Sequence, residues 1–132
     1  DEVREKIVPL DPDINDQSIM MCSEVFYQRF KWDPEKCHAI SPATAVAELC
    51  WPAIGRGCGS LVRTSIWDFA GSWPIVRKAG MELRSVREAK DGAVLERLDL
   101  SRFEAGDAIW RLKDYHVVST AKNYPKILEA MG

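Results

Sequence analysis

The 132-residue sequence predicts a single α/β domain over residues 1–132, with a mixed, mostly parallel sheet covered by helices. Three observations predict it. Short apolar runs bounded by turn residues recur along the chain, the clearest being Ile19 to Cys22, Ser60 to Arg63 and His116 to Ser119. Between them lie segments whose apolar residues repeat at helical spacing. The composition, 46% apolar and 29% charged, is that of an ordinary globular protein with enough chain for one core.

Taken in order, Lys6 to Leu10 is a short strand candidate ended by the turn-rich D-P-D-I-N-D. Ile19 to Cys22 reads as a buried strand, after which Ser23 and Glu24 open a helical turn through Val25, Phe26 and Phe30. Trp32, Asp33 and Pro34 break that turn, and Cys37 to Ile40 makes another strand. Ser41 and Pro42 suggest a cap followed by proline at the first helical position, where its missing N–H costs nothing. Ala45, Val46, Leu49 and Ala53 form the expected apolar face, Pro52 distorts the last turn, and Gly55 and Gly57 stop the helix. A strand at Ser60 to Arg63 then leads into a helix with Phe69, Trp73, Val76 and Ala79 or Gly80 along one side. Met81 to Val86 and Ala93 to Leu95 read as two strands joined at Lys90-Asp91-Gly92. Ser101 to Phe103 is irregular, and Ala105 to Leu112 is a short turn or helix with Ile109 and Trp110 inward. His116 to Ser119 is a buried strand, and Tyr124 to Met131 a last helix packing through Ile127, Leu128 and Met131.

Several function classes are disfavoured by composition. Residues 1–50 carry five basic and ten acidic side chains and residues 51–132 thirteen and ten, too mild a bias for nucleic acid. A small phosphorylated anion near the Arg56 to Lys90 region fits that charge as well as ordinary scattered surface charge does. Cys22, Cys37, Cys50 and Cys58 form no C-x-x-C pair, so a zinc site has little support. Cys50 reads as a small buried hydrophobe on its helix. No G-x-G-x-x-G or G-K-S/T loop marks a nucleotide site, and Ser60 and Ser65 lack a base at catalytic spacing. No signal-peptide pattern and no run of eighteen apolar residues occurs, which makes a cytoplasmic location with no membrane partner the expectation. His116 reads as a half-buried strand histidine, and Trp51, Trp67, Trp73 and Trp110 as core or interface filler.

The most informative stretch is I-W-D-F-A-G-S-W-P-I-V-R-K-A-G, from Ile66 to Gly80. Asp68 stands at its strand-to-helix junction, where the carboxylate can cap the first turn or hold a hard cation; spacing alone favours the cap. Trp67, Asp68, Ala70, Gly71, Ile75, Ala79 and Gly80 match the W-D-x-A-A/G-x-x-x-I/L-x-x-x-A-G signature of the inositol monophosphatase-like phosphatases. The preceding A-T-A-V-A-E-L-C-W-P-A-I-G-R-G, Ala43 to Gly57, resembles that family's G-S-x-A-x-x-L-x-x-V-A-x-G-R helix. The resemblance runs from about Ile19 to the end and concerns the family's C-terminal half.

What the resemblance implies is a Mg2+-dependent phosphate monoester hydrolase acting on an inositol- or sugar-phosphate substrate. Asp68 would be its metal ligand, and Thr44, at the family's Gly-Ser position, a substrate contact or a helix-start residue; Arg63 can meet an anionic substrate or, as its position beside a strand favours, stay a solvated flanking arginine. The family's N-terminal half, with its glutamate, D-P-x-D-G-T signature and threonine, has no counterpart here, since Asp11-Pro12-Asp13 lacks the following G-T. One aspartate does not complete a two-carboxylate or three-carboxylate Mg2+ centre, so the isolated chain is expected to be inactive and to need a missing N-terminal domain or a partner chain. Where inositol-binding members place an acidic residue, seven positions before the signature aspartate, this chain has Leu61. The alternative reading is a non-catalytic interaction or oligomerisation domain that keeps the fold, leaves Asp68 as a cap, and forms a homo-oligomer through exposed tryptophans.

Overall fold

The computed structural model describes residues 14–23, 25–86, 94, 96–97, 99–106 and 110–131. Its main sheet has five strands: β1 (Ile19–Cys22), β2 (His38–Ile40), β3 (Gly59–Val62), β4 (Glu82–Ser85) and β7 (His116–Ser119). Their spatial order is β2-β1-β3-β7-β4. β1 pairs parallel with β2 and with β3, whereas β7 runs antiparallel to both of its neighbours. Four strands therefore point one way and β7 opposes them, which is the mixed, mostly parallel sheet expected. β5 (Phe103–Glu104) and β6 (Arg111–Leu112) form a separate antiparallel pair.

Alternation along each strand sends side chains to opposite faces. Val62, Leu83 and Val118 join Leu49 and Ala53 of α2 (Ala45–Ala53) and Phe69 and Val76 of α3 (Ile66–Lys78) on one face. Met20, Cys22, Leu61 and Val117 join Phe26 of α1 (Phe26–Arg29) and Tyr124 and Ile127 of α4 (Tyr124–Ala130) on the other. Each such side chain taken out of water contributes roughly 1.5–3 kcal/mol before ordering entropy is counted. The result is a three-layer sandwich with helices on both sides.

α3 ends as its sequence requires. Gly80 takes φ 87, its N–H bonds the Arg77 carbonyl at 3.0 Å, and the Met81 N–H reaches the Val76 carbonyl at 3.1 Å. This double closure, with Met81 and Val76 both in the core, is the glycine-terminated helix stop. The start is different from expectation. Ser65, not Asp68, is the N-cap residue, and no side chain caps the turn. The Ile66 N–H is instead satisfied by the Trp110 carbonyl at 2.8 Å.

α2 also departs from expectation. It begins at Ala45 behind Thr44, three residues after Pro42, because Ala43 adopts φ 57 and interrupts the helical backbone. Its buried side is accordingly Ala47, Glu48, Leu49, Pro52 and Ala53, while Val46 faces solvent. Pro52 does tighten the last turn: the Ile54 N–H bonds the Trp51 carbonyl at 3.2 Å and the Gly55 N–H the Pro52 carbonyl at 3.1 Å.

Further corrections lie towards the C-terminus. The segment expected as a turn or helix over Ala105 to Leu112 ends in β6, and Trp110, at φ 23, is exposed rather than inward. Its partner Ile109 lies outside the described residues, as do Lys6 to Leu10 and the Lys90-Asp91-Gly92 tip. The expected hairpin after β4 is represented by a single bridge, Arg84 to Val94, because β4 takes β7 as its ladder partner. The irregular Ser101 to Phe103 segment opens within a 3-10 turn, Leu100–Arg102, whose first N–H groups Asp99 caps through Ser101 at 2.9 Å. Of the tryptophans, Trp73 stacks on Phe69 at 5.3 Å and is half-buried, whereas Trp51 and Trp67 are exposed. His116 is fully buried, with Nδ1 3.0 Å from the Asp114 carbonyl. Cys50 is half-buried.

Candidate functional site

The order β2-β1-β3 places a topological switch between β1 and β3. From β1 the chain crosses through α1, on one face, to β2; it then returns through α2, on the other face, to β3. Crossovers that diverge in this way leave a crevice beyond the carboxyl ends of the two parallel strands. A cleft of about 520 Å³ occupies that place, bounded by Ser23 after β1, Arg63 and Thr64 after β3, Thr44 and Glu48 of the α2 start, and Arg111 of β6. That is a volume typical of small-molecule sites.

Thr44 and Arg63, far apart in sequence, therefore meet in one cleft. Thr44 is the exposed N-cap residue of α2; its carbonyl accepts the Glu48 N–H at 3.0 Å and its hydroxyl makes no capping bond. Arg63 is not the solvated flanking arginine that its position suggests. Its Nε donates to the Leu112 carbonyl at 3.0 Å, an Nη lies 3.6 Å from Glu104 Oε1, and the guanidinium sits 6.0 Å from the Tyr115 ring centroid. An arginine held on three sides is preorganised, which lowers the entropy lost when it meets an anion.

Asp68 stands in the first turn of α3 and connects to the cleft through its wall. The Thr64 hydroxyl, itself buried, donates to Asp68 Oδ2 at 3.2 Å. Glu48 is only 6% exposed, and burial, followed by the nearby Asp68 charge, pushes its carboxyl up from the ordinary glutamate value. Glu48 and Thr64 escaped the sequence reading. The available signal was spacing: Glu48 lies four residues after Thr44 and Thr64 four before Asp68, one helical turn in each case.

Among the described residues no three His, Cys, Asp or Glu side chains gather as a metal cage. Asp68 alone suits a partial hard-cation site, since Mg2+ commonly takes one or two carboxylates and completes its shell with water and phosphate oxygens. Among the described residues no helix is long and apolar enough to cross a membrane.

Solved structures of like shape cover nearly all of this chain. The extragenic suppressor protein SuhB of Bartonella henselae superposes with TM-score 0.66 at 18% identity, over 98% of this chain and 47% of its own. The inositol monophosphatase of Anabaena gives TM-score 0.65 at 15% identity, over 96% and 48%. The chain has the inositol monophosphatase fold. A third match, the inositol monophosphatase II of Staphylococcus aureus with inositol monophosphate bound, gives TM-score 0.63 at 14% identity, over 96% and 46%. The chain thus spans about half the length of each inositol monophosphatase-fold structure it matches. No protein-family model and no curated protein matches the sequence.

Proposed function

We propose that this chain is the carboxyl-terminal part of a Mg2+-dependent phosphate monoester hydrolase for inositol- or sugar-phosphate substrates, inactive without further groups from a partner segment or chain. The observation that carries the reading is convergence. Thr44, Arg63 and Thr64 line one crevice at the strand switch point of an inositol monophosphatase fold, and Asp68 is bonded to Thr64 in its wall.

In this reading Asp68 holds the cation and the Thr64 hydroxyl fixes which carboxylate oxygen faces it. A bound Mg2+ supplies charge stabilisation for phosphate oxygens and lowers the pKa of water. Thr44 offers a hydroxyl to the sugar, and Arg63 presents a fixed positive charge to the phosphate. Burial, and after it the nearby Asp68 charge, disfavours the charged form of Glu48 in this cleft.

The test is Mg2+ titration of the 132-residue chain and of Asp68→Asn, with inorganic phosphate present, followed by calorimetry. Weak binding that Asp68→Asn abolishes is the expected result. Equal binding by both proteins, or binding by neither, would remove Asp68 from the role. Mg2+-dependent phosphate release by the chain alone would instead overturn its incompleteness.

One observation favours the second reading, an interaction or oligomerisation domain. α2 and α3 expose Val46, Trp51, Trp67 and Ile75, with Trp67 at 58% and Ile75 at 49%. Sedimentation over a concentration series separates the readings: a stable oligomer that Trp67→Ala weakens, with no response to Mg2+, selects the second.

A further inference from the structure

Two sulfurs meet at a place the crevice does not use. Cys37, the residue before β2, and Cys58, the residue before β3, pack with Met20, Phe26 and Ile127, and their Sγ atoms lie 3.6 Å apart. They stand at the amino ends of the parallel strands, opposite the end that carries the crevice, and just ahead of the first paired residues His38 and Gly59. Both are buried, Cys37 completely. The other two cysteines are placed elsewhere: Cys22 ends β1 and donates to the Ile40 carbonyl at 3.5 Å, and Cys50 lies on α2.

Burial without access would leave the pair inert, but Cys58 also lines a hollow of about 390 Å³ together with Asn15, Gln17, Ser18 and Gly57. Asn15 and Gln17 are exposed, so the hollow opens to solvent. A molecule little larger than water can enter there. The two thiols are unequal as well. The Cys58 S–H, directed at Cys37, favours the Cys37 thiolate more than burial opposes it, while the same contact and burial push Cys58 up. An attacking sulfur is thus in contact with a protonated neighbour. A soft cation held between two thiolates would leave negative charge beside the Ser18 and His38 carbonyl oxygens, each 3.4 Å from Cys37 Sγ. A disulfide is neutral and suits these surroundings.

We propose that Cys37 and Cys58 form a reversible disulfide on exposure to a hydroperoxide. The Cys37 sulfur attacks one peroxide oxygen and the O–O bond breaks. That oxygen stays on sulfur as S–OH, and the other leaves, protonated, as water or an alcohol. The Cys58 sulfur, giving up its proton, then displaces the hydroxyl as water and the S–S bond forms, closing the sulfurs to roughly 2.05 Å. The two sulfurs lose two electrons, which reduce the peroxide; thiol exchange returns them. The bridge closes a loop holding β2 and α2 and fastens the approaches to β2 and β3, the two neighbours of β1. It is independent of what the crevice binds.

The experiment exposes the reduced 132-residue chain to hydrogen peroxide at neutral pH, blocks the remaining thiols and maps peptides without reductant. The expected product is a Cys37–Cys58 cross-linked peptide pair, formed at a rate independent of protein concentration and reversed by dithiothreitol. Tm should rise by at least about 5 °C, because the bridge restricts the unfolded chain. Cys58→Ser should leave Cys37 as a sulfenic acid that dimedone traps, and Cys50→Ser should leave the bridge unchanged. Cys37 and Cys58 that stay thiols while Cys50 oxidises overturn the inference. So does linkage through Cys22 or Cys50, or a bridge that forms only in urea. The map of the unsubstituted chain decides the matter even if Cys58→Ser does not fold.

Discussion

Replacing Gly59 by alanine probes the centre of the sheet more sharply than any core truncation. β3 is the middle strand, and Gly59 pairs with Met20 on one side and Ser119 on the other. A Cβ there would lie 2.7 Å from the Val118 carbonyl oxygen, 2.9 Å from Ile127 Cδ1 and 3.3 Å from Ser119 Cβ. The isoleucine methyl can rotate aside, but the carbonyl belongs to the β7 backbone and moves only with the β3–β7 ladder. Overpacking of this kind costs about 1–3 kcal/mol, and contact with backbone belongs at the upper end. Reduced freedom of the unfolded chain returns about 0.4–1 kcal/mol. The net expectation is a loss of about 2 kcal/mol, or a fall in Tm of roughly 8 °C for a domain of this size. Gly71→Ala is the control, because a Cβ at this exposed α3 position meets nothing within 4 Å. It should gain about 0.5–1 kcal/mol from helix propensity. Urea unfolding of the three proteins gives both numbers, with equal m-values confirming comparable unfolded states. A Gly59→Ala protein within about 0.5 kcal/mol of the parent would refute the steric argument.

Three further outcomes are expected. Glu48 has its folded pKa raised, so the folded state binds the extra proton and Glu48 lowers stability as pH rises above its ordinary value of 4.5. Glu48→Gln should therefore raise Tm at pH 7 and lose that gain below pH 4.5, and a pH-independent difference in thermal scans would contradict it. Thr64→Val removes the hydroxyl that orients Asp68, at about 1 kcal/mol in stability, and should weaken the Mg2+ response. That weakening should vanish in the Asp68→Asn background, as a double-mutant cycle by calorimetry will show. In native alkylation at pH 8, followed by peptide mass mapping, half-buried Cys50 should label first. Cys22 is buried with its thiol pushed up to about 11, and the buried Cys37 and Cys58 sulfurs lie 3.6 Å apart, so equal labelling rates would contradict the packing.

The parts of the fold legible in sequence are those in which local pattern and final environment agree. β1, β3 and β7 are short apolar runs that end up buried, and Gly80 closes α3 because glycine alone adopts its φ without penalty. The start of α2 was hidden because Ala43, an alanine, takes a left-handed conformation that no sequence pattern announces. β5 and β6 are two residues each and owe their existence to one another across the chain. The site divides in the same way. Thr44 and Asp68 are legible through a motif resemblance and Arg63 through its charge beside β3, and the fold brings Thr44 and Arg63 into one cleft with Asp68 bonded to its wall. Arg29, Glu48 and Arg111 lie on three different elements, and only tertiary convergence at the strand switch point brings them to one cleft.

The position of β7 has a consequence for how the protein is made. Val118 opposes both Ser60 and Leu83, so β3 and β4 are neighbours only through a strand that comes more than thirty residues after β4. While a ribosome is still translating the residues before His116, β3 has β1 on one flank and an open row of backbone donors and acceptors on the other. β4 lacks its ladder partner altogether. Such edges invite pairing with another nascent chain. Arrival of His116–Ser119 closes both at once, so the central sheet is completed in a single late step.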